Sequence, residues 1–204
     1  MHMWHLLTAF GDCAVLLPLT VVAMLWLISR PATRHNALLW GVTIFSCGAL
    51  VTLSKLIYMG WGLGIPGLDF TGFSGHTALS SVIWPAIPAL LIPEKNRRAR
   101  WIAIALGVLL VMGVAVSRLG LGVHSVSEVV LGGTLGFSLM AGLLFKLHHV
   151  TAQIGMPSWR VCLSLLLPLL LCYGRTFPSQ HLLKDTATYI SGHASAFTRE
   201  SETR

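Results

Sequence analysis

An arginine, a histidine and a carboxylate stand close together in Ser117-Arg118-Leu119-Gly120-Leu121-Gly122-Val123-His124-Ser125-Val126-Ser127-Glu128, a stretch that separates two apolar runs. If the chain is helical from Ser125 onward, His124 and Glu128 lie at i and i+4 on one face, where a carboxylate can hold an imidazole in one tautomer. Arg118 would then hold an anion beside them. A structural reading fits the same residues: Ser125-Val126-Ser127-Glu128 is a capping box that opens the next helix, and Arg118 is an interfacial anchor. The two readings are compatible. What tilts them toward chemistry is a second histidine, His76, which stands in a similar position in Phe73-Ser74-Gly75-His76-Thr77.

The elements that must position these residues are membrane helices. With 54% hydrophobic and only 10% charged residues in 204, and a mean hydropathy of +0.75, the chain is too apolar for a soluble domain and long enough for several spans. Apolar runs cover 6–28, 37–54, 77–93, 101–116, 129–145 and, more weakly, 161–173. The expected fold is therefore all-α, a polytopic bundle of six transmembrane helices. The last run is shorter than the roughly 17 residues a crossing needs, so it extends back past Arg160 by snorkelling or is re-entrant.

The net charge of +7 does not point to nucleic acid, because the basic residues sit mainly in short loops between spans, as the positive-inside rule requires. Arg30 and Arg34 follow the first run, Lys95, Arg97, Arg98 and Arg100 the third, and Lys146 and Arg160 flank the loop after the fifth. These alternate loops share one face, which should be cytoplasmic. Both termini, the loop 58–75 and the stretch from Ser117 to Glu128 then lie outside, with Lys55 and Arg118 as external cations at span ends. No lysine or arginine precedes the first run, so it reads as a retained span with its N-terminus outside rather than a cleaved signal. Asp12 lies inside it, either as a functional carboxylate facing the bundle or as a buried hydrogen bond to a neighbouring helix.

The loop 58–75 is glycine-rich and close to the membrane. Gly62-Leu63-Gly64-Ile65-Pro66-Gly67 spells a dinucleotide fingerprint, but it follows a membrane helix rather than a strand and no phosphate-loop lysine comes after it, so both nucleotide readings are discarded. Tyr58 and Trp61 suit an aromatic interfacial belt. The helix N-termini near Ser74 and Ser125 should point to the same face, where Arg118 and Lys55 join them; converging helix dipoles and cations describe a phosphate site. Pro85, Pro88 and Pro93 should kink or end the third span, and Gly132 and Gly136, at GxxxG spacing, continue the His124 and Glu128 face and allow a helix to approach it closely. Cys13, Cys47, Cys162 and Cys172 are scattered as packing residues, with a Cys13–Cys172 disulfide conceivable on the external side. Residues 1–174 form the six-span domain. Residues 175–204 are a polar tail without a helical apolar stripe, expected to be disordered.

With these residues placed, the chain resembles the type 2 phosphatidic acid phosphatase superfamily, membrane relatives of the vanadium haloperoxidases. That family carries Lys-x6-Arg-Pro, then Pro-Ser-Gly-His, then Ser-Arg-x5-His-x3-Asp. Ser117-Arg118, His124 and Glu128 match the third motif and Phe73-Ser74-Gly75-His76 the second, in the family's order. Three departures stand out. Gly62 and Leu63 occupy the Arg-Pro of the first motif, which leaves Lys55 to carry it alone; Phe73 replaces a proline; Glu128 replaces an aspartate.

The resemblance implies a membrane lipid phosphatase of the bacterial inner membrane. Its substrate would be a lipid or polyprenyl phosphate or pyrophosphate, met at the external face. His124, held by Glu128, would attack phosphorus as the neutral imidazole and form a phosphohistidine, and His76 would protonate the leaving oxygen. Lys55, Ser74, Gly75 and Arg118 would surround the phosphoryl oxygens. No metal or cofactor is required by this chemistry, and the partners are the lipid phosphate and the membrane lipids. The alternatives are a lipid phosphotransferase using the same intermediate and a noncatalytic lipid-binding or transport protein on the same scaffold.

Overall fold

The computed structural model describes residues 2–147 and 158–199. Within them the chain is helical, joined by turns and one isolated bridge between Ile65 and Phe70. The helices are α1 (His2–Ala9), α2 (Cys13–Ile28), α3 (Arg34–Trp61), α4 (Gly75–Ile83), α5 (Ala86–Leu91), α6 (Arg97–Gly120), α7 (Val126–Leu147), α8 (Ser158–Cys172) and α9 (Ser179–Ser191). Four stretches are long and apolar enough to cross a membrane: Met3–Ile28, Pro31–Trp61, Glu94–Gly120 and Val126–Leu147.

The other two expected crossings are shorter. The third is split into α4 and α5 at Trp84 and Pro85, because Pro85 has no N–H to continue the helical ladder. The sixth is the 15-residue α8, and the loop that leads into it lies outside the described residues. A coat of exposed apolar side chains, among them Phe45 on α3, Leu109 on α6, Phe145 on α7 and Leu170 on α8, gives the bundle the surface that hydrocarbon solvates.

α4 is the hub, packed against α7, α3, α6 and α2. Its closest approach is to α7, and glycines permit it. A Cβ on Gly132 would stand 2.9 Å from the Ser74 carbonyl oxygen, and one on Gly136 would overlap the Ala78 carbonyl oxygen and come within 2.6 Å of Ser81 Cβ. The small-residue spacing therefore acts as the sequence suggests, and the helix it admits is the one that carries His76.

Several expectations change. Asp12 is not in mid-helix: it ends the break between α1 and α2 and caps α2, accepting from the Ala14 N–H at 2.8 Å, which is ordinary work for an aspartate before an apolar run. Lys55 does not end the second span, since α3 continues to Trp61. Tyr58 is buried rather than part of a belt, while Trp61 is exposed. The four cysteines are free, in keeping with their scattered placement in the sequence.

Where the sequence suggests a disordered tail, residues 179–191 form α9, which lies along α3. It docks through small residues: Ala187 is buried, and a Cβ on Gly60 would meet Ser191 Cβ at 3.5 Å. An apolar-stripe criterion passes over such a contact.

The α4–α7 contact makes a stability prediction. Gly136→Ala should cost about 1–3 kcal/mol through overpacking and lower the melting temperature in detergent. Gly142→Ala, whose Cβ would meet nothing within 4 Å, should leave the melting temperature unchanged or raise it slightly.

Candidate active site

α7 begins with the reciprocal bonds of a capping box. The Glu128 N–H donates to Ser125 Oγ at 3.3 Å, and the Ser125 N–H donates to Glu128 Oε2 at 3.2 Å. The same Oε2 lies 2.6 Å from His124 Nδ1. The capping-box bonds and the histidine–carboxylate contact thus coexist in one geometry. A carboxylate has no proton to donate, so Nδ1 carries the hydrogen and Nε2 keeps its lone pair. Nε2 has no hydrogen-bond partner among the described residues.

The other carboxylate oxygen, Oε1, accepts from the Thr71 N–H at 2.9 Å and from Thr71 Oγ1, and it pairs with Arg199 Nη2 at 3.0 Å. Glu128 is 1% exposed. Its backbone carbonyl also accepts from the Ser74 N–H at 3.1 Å, so one residue ties together α7, the 62–74 loop and the start of α4.

That last bond places the second motif. Ser74 is the N-cap of α4, and its Oγ shares a hydrogen with Thr77 Oγ1 at 3.0 Å. Gly75 opens the helix, with Val51 Cγ1 3.3 Å from where a Cβ would sit, so the backbone there is tightly backed by α3. His76 follows and turns toward the break between α1 and α2: a Cβ on Gly11 would touch its ring at 3.2 Å, and its Nε2 lies 3.6 Å from Asp12 Oδ2. The partner that the sequence could not name for Asp12 is thus His76. Asp12 Oδ1 also accepts from the Phe177 N–H at 2.9 Å, which ties down the chain after α8.

The two cations of the sequence reading both line this region. Lys55 is 8% exposed, covered by the returning loop: a Cβ on Gly72 would meet Lys55 Cγ at 2.9 Å. Arg118 Nη1 donates to Thr8 Oγ1 at 2.8 Å, while its Nε is buried without a partner among the described residues. Lys55 and Arg118 lie within electrostatic reach of both histidines. A half-buried guanidinium whose buried Nε has an unmet donor, a buried ammonium and an imidazole with a free nitrogen make an arrangement suited to an anion.

Sequence reasoning missed Thr71, Thr8 and Arg199, which have no motif to mark them and reach the site only through folding. The glycine at the first-motif arginine position has a local explanation. Gly62 terminates α3 in the left-handed region, at φ 67, where a side chain is strained and glycine is favoured.

This is a helical membrane protein with a carboxylate-held histidine between a buried lysine and a half-buried arginine. Residues 58–151 match the PAP2 superfamily. A protein of Klebsiella pneumoniae described as an uncharacterized 22.5 kDa protein in the cps region is 38% identical over 199 residues, covering 96% of this chain and 95% of that one. No solved structure matches the chain. The chain belongs to the PAP2 superfamily, whose members are typically phosphatases.

His124 sits in the turn between α6 and α7, and burial lowers its pKa below the ordinary 6.5, while the hydrogen bond it donates to Glu128 works the other way. Imidazole NMR should therefore show His124 titrating below 6.5. Glu128→Gln removes the contribution that favours the cation and should move that titration lower still. A higher titration in Glu128→Gln would contradict the pairing.

Proposed function

We propose that this chain is an integral membrane phosphatase that hydrolyses a lipid or polyprenyl phosphate or pyrophosphate through a phosphohistidine on His124. The observation that carries the reading is the His124–Glu128 contact of 2.6 Å, which commits Nδ1 and leaves Nε2 as a nucleophile. Nε2 attacks phosphorus as the bond from phosphorus to the leaving oxygen breaks, and His76 gives that oxygen a proton. Water then attacks the phosphohistidine, the N–P bond breaks, phosphate departs and the water proton returns to His76. Lys55, Arg118, the Ser74 hydroxyl and the Gly75 N–H hold the phosphoryl oxygens, where fixed charge and positioning supply most of the rate.

Membrane placement follows from the same elements. We read α4 with α5 as one broken crossing and α8 as a short one, so that six crossings put both ends of the chain on the side of the site. Lys95 lies just before α6 and Arg97, Arg98 and Arg100 in its first turn, at the opposite end, and they favour the cytoplasm there. The site then opens between helices at the external leaflet of the bacterial inner membrane, at the depth of a lipid headgroup.

Purified protein in detergent, given a panel of lipid phosphates and pyrophosphates, should release phosphate from at least one. His124→Ala should retain less than about 1% of that release, as expected for loss of a covalent nucleophile. Release by His124→Ala at the wild-type rate would sink the mechanism.

Sidedness has its own test. In a background without the native cysteines, Gly67→Cys should react in intact cells with a membrane-impermeant thiol reagent and Asn96→Cys should not. Both positions are exposed, so the reverse pattern would move the site to the cytoplasm.

A further inference from the structure

After α9 the chain turns at Gly192, φ 71, and runs back across the end of α3. His193 Nδ1 lies 2.8 Å from the Gly60 carbonyl oxygen, and the Phe197 N–H donates to the Met59 carbonyl oxygen at 2.8 Å. The Phe197 ring covers Gly62, where a Cβ would meet it at 3.2 Å. These contacts fix the backbone next to Arg199. Its Nε reaches Asp69 Oδ1 at 3.1 Å, and its Nη2 reaches both the Asp69 carbonyl oxygen at 3.1 Å and Glu128 Oε1 at 3.0 Å.

The two carboxylates differ greatly in surroundings. The Asp69 side chain is 66% exposed, and a pair there contributes little. The Glu128 side chain is 1% exposed, and that carboxylate is the one that holds His124. A guanidinium on Oε1 constrains the plane of the carboxylate, and so the aim of Oε2 at Nδ1. It also offsets the negative charge that would otherwise favour a protonated imidazole. The charged groups that act directly on His124 are Glu128 from α7, Lys55 from α3 and Arg118 from α6; Arg199 of the strap, paired also with Asp69 of the loop, reaches it through Glu128, and His76 of α4 faces Asp12 instead.

We propose that Arg199 is a positioning residue of the His124–Glu128 pair, delivered by a C-terminal strap of residues 192–199, and that it fixes the Glu128 carboxylate and keeps His124 in its neutral form. The consequence for turnover rests on the phosphatase reading; the consequence for His124 itself does not.

The test measures both on full-length protein in detergent. Histidines are labelled in the imidazole ring, and the His124 signal is identified by its loss in His124→Ala. Arg199→Ala should raise the His124 pKa by about half a pH unit or more, and Arg199→Lys should return most of that shift by restoring the charge. Where the wild type releases phosphate from a lipid phosphate, the acid limb of kcat/KM should move upward by the same amount in Arg199→Ala, with kcat reduced about 3- to 10-fold. An unmoved His124 titration in Arg199→Ala overturns the proposal whatever the activity. A raised titration in a protein that hydrolyses none of the lipid phosphates upholds Arg199 and sinks the phosphatase reading instead.

Discussion

A carboxylate buried at the end of a membrane helix is costly unless every lone pair is met, by several kcal/mol for an unpaired charge, and Glu128 is where this chain meets that constraint. Its side chain accepts from His124, Ser125 and Thr71 and is ion-paired with Arg199, and its carbonyl accepts from Ser74. Those partners come from the turn before α7, the glycine-rich loop, the start of α4 and the C-terminal strap. Satisfying one charge therefore draws four separate segments to a single point. The ring that receives the benefit is His124, whose orientation and tautomer follow from the same bonds.

The second constraint is the approach of α4 to α7. Ser74 can donate to Glu128 only because Gly132 lets the start of α4 come within contact distance, and Gly136 keeps the two helices close one turn further on. That proximity sets His76 on the same framework as His124 while leaving each histidine with its own acid: Glu128 for His124 and Asp12 for His76. Two imidazoles with separate partners can hold different protonation states, which the proposed nucleophile and general acid require. Lys55 and Arg118 enter from α3 and α6, so their charge reaches the site from helices that carry neither histidine.

Much of this was legible in the chain. The histidine and glutamate at i and i+4 behind Ser125, the helix start at Ser74, the break at Pro85 and the close-packing glycines are all local patterns. Local patterns survive because they depend on residues a turn or two apart. The readings that changed depend on segments far apart in sequence. Asp12 had no nameable partner because His76 and the Phe177 N–H reach it only through folding, although its cap on the Ala14 N–H is local. The tail looked disordered because α9 docks by small residues on Gly60 rather than by an apolar stripe.

The sequence by itself determined that the chain is a helical membrane protein with a histidine and carboxylate framed by cations, since hydropathy, charge placement and short spacings are properties of composition and local order. Only the tertiary structure decided who partners whom. Thr71 and Arg199 converge on Glu128, Asp12 meets His76, and Lys55 is buried by a loop that folds back at Gly72. The physical reason is that each of these contacts closes a long stretch of chain, and the backbone returns that make such closures possible leave no periodic trace in the residues they join.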